Sequence, residues 1–534
     1  MNGAALPGLV VLVRARLRVN RISLAAMAIL MAIFCVAALQ TYVAAFPDRS
    51  TRTTMLAPLV NNGALRVLYG YPFDIADPAG WVAWRTMTSA GIIMAMWAVV
   101  ITSGALRGEE DAGRGELVLS GVQPRRRWFA AALTATAVQT VIIGAVMVIA
   151  LAAVGLPQHL LTFANCAELG LQLMLPALFF AAVAALTSQL APTARAARLL
   201  AAGILVAAFL VRAPADVREG MSWLRRLTPL GWFEELRPPA APSPIVLTVI
   251  VLATALPILI ALCLLGTRDI GRGLLGAHDS RPPRRLLLGS PWQAALRDET
   301  PQLSFWFAGT TLYALLMGGL IKTVLEFLRH TPMYAQFFGE QLAVDGFVSA
   351  LYSLIQLLAA LLAVTLIVAA RGEEATGRLE LLLAMPRSRV GWQCGRAVLA
   401  IALAATLTAI AAGSMWVGAA LTGQRIRASS LLLASVNSLP LVVVTVGCAT
   451  AVLALAPRAV SSMYALVAAA FLWDNVGTAL QAPGWTLSLS PFHALARVPM
   501  QDLAFTPVAV LTVIGAGLFA PALYRFRHRD LISA

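Results

Sequence analysis

Two stretches of this chain set carboxylates and guanidinium groups close together, and they are nearly the same stretch. Arg107-Gly108-Glu109-Glu110-Asp111-Ala112-Gly113-Arg114-Gly115-Glu116-Leu117-Val118-Leu119 returns as Arg371-Gly372-Glu373-Glu374-Ala375-Thr376-Gly377-Arg378-Leu379-Glu380-Leu381-Leu382-Leu383, with nine of thirteen positions identical. Arg125 and Trp128 recur in the same register as Arg389 and Trp392. The chemistry on offer is ionic. On a helix, Glu110 precedes Arg114 by four residues and Glu374 precedes Arg378 by four, the favoured order for a surface pair worth a few tenths of a kcal/mol. Such pairs alone describe a solvated loop helix. Repetition about 264 residues apart, in a chain only 12% charged, argues for docking instead. Gly113 and Gly377, poor helix formers, would then permit close approach of another backbone.

Other chemistries lack their residues. The five histidines are scattered and no HExxH or CxxC spacing occurs, so neither a metal site nor catalytic residues are expected. The five cysteines, Cys35, Cys166, Cys263, Cys394 and Cys448, lie in or beside apolar runs and read as packing or lipid-facing residues, not a disulfide framework. A phosphate-binding loop needs Gly-Lys-Ser/Thr, and the sole lysine, Lys322, sits in a hydrophobic run. The chain therefore binds no nucleotide cofactor of its own. Within apolar runs the candidate carboxylates are Glu168 and Asp474, the latter beside Asn475. A carboxylate in a span is costly without a use. Asp474 is thus expected to face a pathway and favour cationic or hydrogen-bonding substrates.

The elements carrying these residues are membrane spans. The chain is 59% hydrophobic with a mean hydropathy of +0.80, which excludes an ordinary soluble protein. Apolar runs near the ~20 residues that cross a bilayer predict an all-α polytopic protein of about twelve spans. They fall near 22–45, 83–106, 128–154, 165–190, 196–212 and 244–266, then 304–323, 347–370, 392–421, 429–456, 459–480 and 504–524. The net charge of +15 is almost all arginine in short loops, which fits positive loops retained inside and not a nucleic-acid site. The arginine bias predicts both termini on the cytoplasmic side. Before the first span, Arg14, Arg16, Arg18 and Arg21 border an apolar stripe of Val10, Val13 and Leu17, as in an interfacial helix. Ser290-Pro291-Trp292 predicts a matching helix start in the second half.

Other landmarks recur too. Leu190-Ala191-Pro192 answers Leu455-Ala456-Pro457, Thr228-Pro229 answers Ser490-Pro491, and Arg268-Asp269-Ile270 answers Arg529-Asp530-Leu531. The chain thus divides at a polar, Arg-Pro-rich linker near residue 285. Residues 1–285 and 286–534 are parallel six-span repeats with charged segments at 107–127 and 371–391. Trp223, Trp232, Phe233, Trp485 and Phe492 precede the sixth span of each half. They fit equally an interfacial cap on a pathway and an aromatic belt.

The motif E-E-x-x-G-R-x-E-L after the second span, doubled and followed by Arg125/Trp128 or Arg389/Trp392, resembles the permeases of ABC-2 type (type V) exporters. It is most similar to the actinobacterial polyketide-antibiotic (tetronasin-type) permeases, which are two-fold repeated and end in the Arg-Asp-Leu seen at 529–531. The resemblance covers essentially the whole chain. It implies a permease subunit in the bacterial cytoplasmic membrane, itself no enzyme, that exports a bulky lipophilic compound. Two copies of a separate cytoplasmic ATPase would carry ATP and Mg. It implies coupling helices contacting that ATPase through Glu109, Glu110, Gly113, Arg114 and Glu116, and through Glu373, Glu374, Gly377, Arg378 and Glu380. Val122 stands where the second copy has Pro386, so the two docking sites are expected to be unequal. It also implies a pathway lined by the second and fifth spans of each half, near Met94, Trp97, Phe209, Tyr352, Gln356, Phe471, Trp473 and Asp474. In membrane spans such residues also serve as packing or lipid-facing groups.

Two other classes compete. A proton-coupled secondary multidrug transporter also has 6+6 parallel repeats, but Asp111-Ala112-Gly113-Arg114 lacks the Asp-Arg and Gly-Arg-Arg pattern usual there. A membrane glycosyl or acyl transferase would want acids or histidines clustered at one face outside the repeat.

Overall fold

The computed structural model describes residues 5–46, 56, 60, 63–120, 124–217, 219–236, 240, 243–267, 273–275, 291–322, 325, 340–384, 388–479 and 482–531. These form two compact units, Met1–Arg281 and Pro282–Ala534. Among the described residues there is no strand. The linker Arg281–Arg285, the Arg268-Asp269-Ile270 landmark, Val122 and Pro386 lie outside them.

In the first unit, α1 (Ala5–Val19) is followed at Asn20 by α2 (Arg21–Ala45). α3 runs from Pro78 to Asp111 and contains two π-helical turns, Ala83–Met87 and Gly104–Gly108. The unit continues through α4 (Arg114–Leu119), α5 (Arg125–Gly155), α6 (Phe163–Leu190), α7 (Ala194–Val217), α8 (Pro229–Glu234) and α9 (Pro244–Leu265). The second unit holds α10 (Pro291–Gly319), α11 (Glu340–Ala375), α12 (Arg378–Leu383), α13 (Arg389–Leu421), α14 (Ala428–Leu455), α15 (Ser462–Ala479), α16 (Gly484–Leu487), α17 (Pro491–Ala494) and α18 (Phe505–His528).

Local chemistry sets the helix starts. Thr162 and Asn165 form a reciprocal capping box on α6. Thr228 accepts from the Gly231 amide at 3.2 Å and Ser490 from the Phe492 amide at 3.3 Å, each with proline at the first helical position. Aliphatic residues dominate the interiors, because a helix satisfies its own backbone where lipid cannot. Glycine allows helices to close on one another. A Cβ on Gly447 of α14 would sit 2.3 Å from the Gly515 carbonyl oxygen of α18, so only a hydrogen fits there.

Ten described helices are long and apolar enough to cross a membrane, and the chain is a multi-pass membrane protein. Two of the twelve expected runs are helical but fall short of that measure. The run at 304–323 belongs to α10, which begins back at Pro291 and continues through Pro301, so the separate short helix expected there is the first part of one longer helix. Its membrane-length portion is diluted by Ser304, Thr310 and Thr311. The run at 459–480 opens with a single 3-10 turn, Pro457–Ala459, and its helix α15 is broken in polarity by Asp474-Asn475.

Candidate functional site

The duplicated stretch folds the same way in both units. α3 ends at Asp111, Gly113 takes φ +71°, and α4 starts at Arg114; α11 ends at Ala375, Gly377 takes φ +72°, and α12 starts at Arg378. The Gly113 amide donates to the Glu110 carbonyl at 3.0 Å, and the Gly377 amide to the Glu374 carbonyl at 3.1 Å. These are left-handed helix caps, and glycine is there because an L side chain is strained at that φ. Close approach is not the reason within the chain: a Cβ at either glycine would meet nothing within 4 Å.

The cap also breaks the pairing expected from sequence. A left-handed residue between Glu110 and Arg114 removes the continuous helix that would bring them together, and the same holds for Glu374 and Arg378. Arg114 instead reaches Glu109, Nε to Oε2 at 2.9 Å, and Glu109 Oε1 accepts from Arg16 of α1 at 3.0 Å. Glu110 pairs with buried Arg107 at 2.8 Å. Arg107 also contacts Asp111 at 3.2 Å and donates to the Pro192 carbonyl at 2.5 Å, while Asp111 accepts from the Ala194 amide at 2.6 Å. The acids of the first copy therefore tie the end of α3 to α1 and to the turn between α6 and α7.

The second copy does the same with other partners. Glu374, 2% exposed, takes Arg529 in a two-pronged pair at 2.5 and 2.7 Å, with Arg371 at 3.6 Å. Glu373 pairs with Arg396 of α13. Arg389 donates to the Arg529 carbonyl at 2.8 Å, and Trp392 stacks on Phe526 with centroids 5.8 Å apart. The recurrent arginine and tryptophan after the stretch thus pack on the end of α18 and the Arg529 backbone, while the Arg529 side chain reaches the buried Glu374 carboxylate. Sequence reasoning missed this use of Arg529. The signal was available, since Arg-Asp recurs 261 residues apart, close to the 264 that separate the acids.

An outward face remains. Arg114, Glu116 and Leu117 are exposed on α4, and Arg378, Glu380 and Leu381 on α12. Leu117 is 76% exposed and Leu381 73%. Both leucines occupy the same repeat position, so each unit presents one open apolar side chain beside matched charges.

The expected pathway residues are only partly gathered. Tyr352, Gln356 and Asp474 line one cavity of about 170 Å³ in the second unit, between α11, α15 and the segment after α17. Phe471 lies behind its wall, edge-on to Phe492 with centroids 5.4 Å apart. Trp473 points away, 40% exposed, donating to the Thr486 carbonyl. In the first unit Met94 and Trp97 lie in the packed core, where Trp97 donates to Ser23 Oγ at 2.9 Å. Phe209 carries the Arg212 guanidinium 5.0 Å from its ring centroid. Of the aromatic segments, Phe233 and Phe492 turn inward while Trp223 and Trp485 are exposed.

Where the second unit has this cavity, the first has a filled charge cluster. Arg212, fully buried, pairs with Glu234 and Asp216 and donates to the Val67 carbonyl at 2.8 Å. Arg225 reaches Asp216 at 3.1 Å. Two voids of about 20 Å³ beside Glu234 have room for little more than a water each. Burial pushes the Glu234 carboxyl up to about 7, with Arg212 pulling the other way and Asp216 adding to the rise. In both units an amide ties the fourth span to the short helical segment before the sixth: Gln172 donates to the Phe233 carbonyl at 3.0 Å, and Asn437 to the Ala496 carbonyl, just past α17, at 2.8 Å.

Residues 288–527 match the family model described as the C-terminal domain of the multidrug efflux system permease Rv1217c. The chain is also 28% identical over 545 residues to the multidrug efflux system permease protein Rv1217c of Mycobacterium tuberculosis, covering 99% of this chain and 96% of that protein.

Proposed function

We propose that this chain is the membrane-spanning permease subunit of an ATP-driven exporter of lipophilic compounds, of the ABC-2, polyketide-antibiotic type. Similarity to a multidrug efflux permease along nearly the full chain supports the transport reading. The observation that carries the coupling reading is the duplicated stretch. Its inner acids are consumed by the fold, while Glu116/Leu117 and Glu380/Leu381 stay exposed beside Arg114 and Arg378, which hold only exposed ion pairs to Glu109 and Asp298. Each face would seat in one of two cytoplasmic ATPase subunits, which bring ATP and Mg; the chain offers no phosphate-binding loop. Glu109, Glu110, Glu373 and Glu374 then act through position, holding each helix where the partner meets it. Gly113 and Gly377 set its direction. Both faces and both termini would lie in the cytoplasm of the bacterium. The nearest rival is a proton-coupled carrier, which draws support from the Asp474–His493 contact.

Single cysteines at Leu117 and Leu381, in a background with the five native cysteines replaced, test docking and orientation together. A membrane-impermeant maleimide should leave both unlabelled in intact cells and label both in inside-out vesicles. Added ATPase should slow that labelling at least about fivefold, as burial under a partner excludes the reagent. Labelling in intact cells, or no protection by the ATPase, would contradict the reading.

A further inference from the structure

We propose that the cavity of the second unit is a binding site for an aryl-bearing protonated amine, and that among the described residues of the first unit the corresponding place is filled. The inference rests on the transport reading only for its biological use; binding itself needs neither nucleotide nor ATPase. Asp474 is 8% exposed at the cavity wall, near the end of α15. Its Oδ1 lies 2.8 Å from His493 Nδ1, and Oδ2 accepts no hydrogen bond among the described residues. A buried carboxylate with one oxygen held and the other unengaged is oriented to receive a donor. Tyr352 and Phe492 supply aromatic wall, and Gln356 and Ser349 supply further polar edge. That mixture of one charge, two rings and a few polar atoms is what a small amphipathic ligand requires.

The charge sign follows from which charged group is buried. Arg497 also borders the cavity, but the residue is exposed, its amide donates to Gln501 Oε1 and its carbonyl accepts from Ser349 Oγ. Water screens an exposed guanidinium far more than a carboxylate inside the wall. The site is therefore selective for cations. Removing the carboxylate from an otherwise unchanged wall removes the larger part of that preference.

The first unit argues the specificity by contrast. There the space between the second span, the fifth span and the short helix is occupied by Arg212, clamped on Glu234 and Asp216. That guanidinium is the internal equivalent of the cation the second unit leaves a place for. One half supplies its own positive charge, and the other takes it from a ligand.

Purified protein in detergent, without ATPase, tests this with 1-naphthylmethylamine, which is protonated at pH 7, and its neutral N-acetyl derivative. Naphthyl fluorescence should titrate saturably with the amine, and the neutral compound should bind at least tenfold more weakly. Asp474→Asn should erase the difference between the two. Ser353→Phe, which fills the cavity from α11 without touching the carboxylate, should abolish binding of both and decides the matter if the Asn variant does not fold. Equal affinity for amine and amide in the native chain, or unchanged binding in both variants, would overturn the proposal. Failure of ATP-driven transport would leave it standing.

Discussion

Glu374→Ala should destabilise the second unit by about 3–5 kcal/mol, the range for stranding one member of a buried ion pair. Arg529 and Glu374 are both buried and meet through two charge-assisted hydrogen bonds. Without the carboxylate the guanidinium keeps its desolvation cost and loses its main compensation. The effect reaches further than one pair, because Arg529 also orders Arg389 and lies 4.9 Å from the Phe526 ring. Yield of folded protein and the thermal midpoint in detergent should both fall sharply. Arg529→Ala should fall alike, and the double variant should recover part of the loss, since no charge is then left buried alone. Glu380→Ala, on the exposed face of α12, should shift the midpoint by no more than about 0.5 kcal/mol equivalent. Charge reversal of Glu109 and Glu110, or of Glu373 and Glu374, is therefore a test of folding first; the outer-face residues are where coupling can be separated from it.

Arg212→Met should do the same to the first unit, by about 3–5 kcal/mol. It leaves Glu234 and Asp216 facing one another with Arg225, and more weakly Arg66, as remaining nearby cations. Neutralising the acids as well, with Glu234→Gln and Asp216→Asn in the same chain, should restore much of the midpoint. Replacing a complete buried ionic group by neutral residues is often close to neutral for stability. A midpoint unchanged by Arg212→Met alone would show that water reaches the cluster and that it is no internal counter-charge.

The sequence made the class of fold plain because lipid leaves a chain few choices. Long aliphatic runs such as 128–154 and 392–421 read directly as spans, and they are α5 and α13. Legibility failed where polarity and helicity part company. α10 is helical well before its apolar portion, and α15 carries Asp474-Asn475 toward the end of a helical run. The duplicated stretch was visible as a repeat, yet its pairing was not. Counting four residues from Glu110 to Arg114 assumes an unbroken helix, and one left-handed glycine reverses the result. Tertiary partners far along the chain, Arg16 for Glu109 and Arg529 for Glu374, cannot be read from local spacing. Asp474, singled out both by the cost of a carboxylate in a span and by span position, does line a cavity with Tyr352 and Gln356; Met94 and Trp97, chosen by span position only, are core packing.

Energy source is the point on which the account most depends. The direct measurement is uptake of a lipophilic dye into inside-out vesicles containing the purified chain with its proposed ATPase partner. Uptake should require hydrolysable ATP and Mg, fail with a non-hydrolysable analogue, and survive collapse of the proton gradient. Arg substituted at both Leu117 and Leu381 should lower it at least tenfold while the thermal midpoint stays put, because those side chains are exposed and support no packing. Uptake by the chain alone on a proton gradient, with no dependence on ATP, would contradict the account and assign the chain to secondary transport.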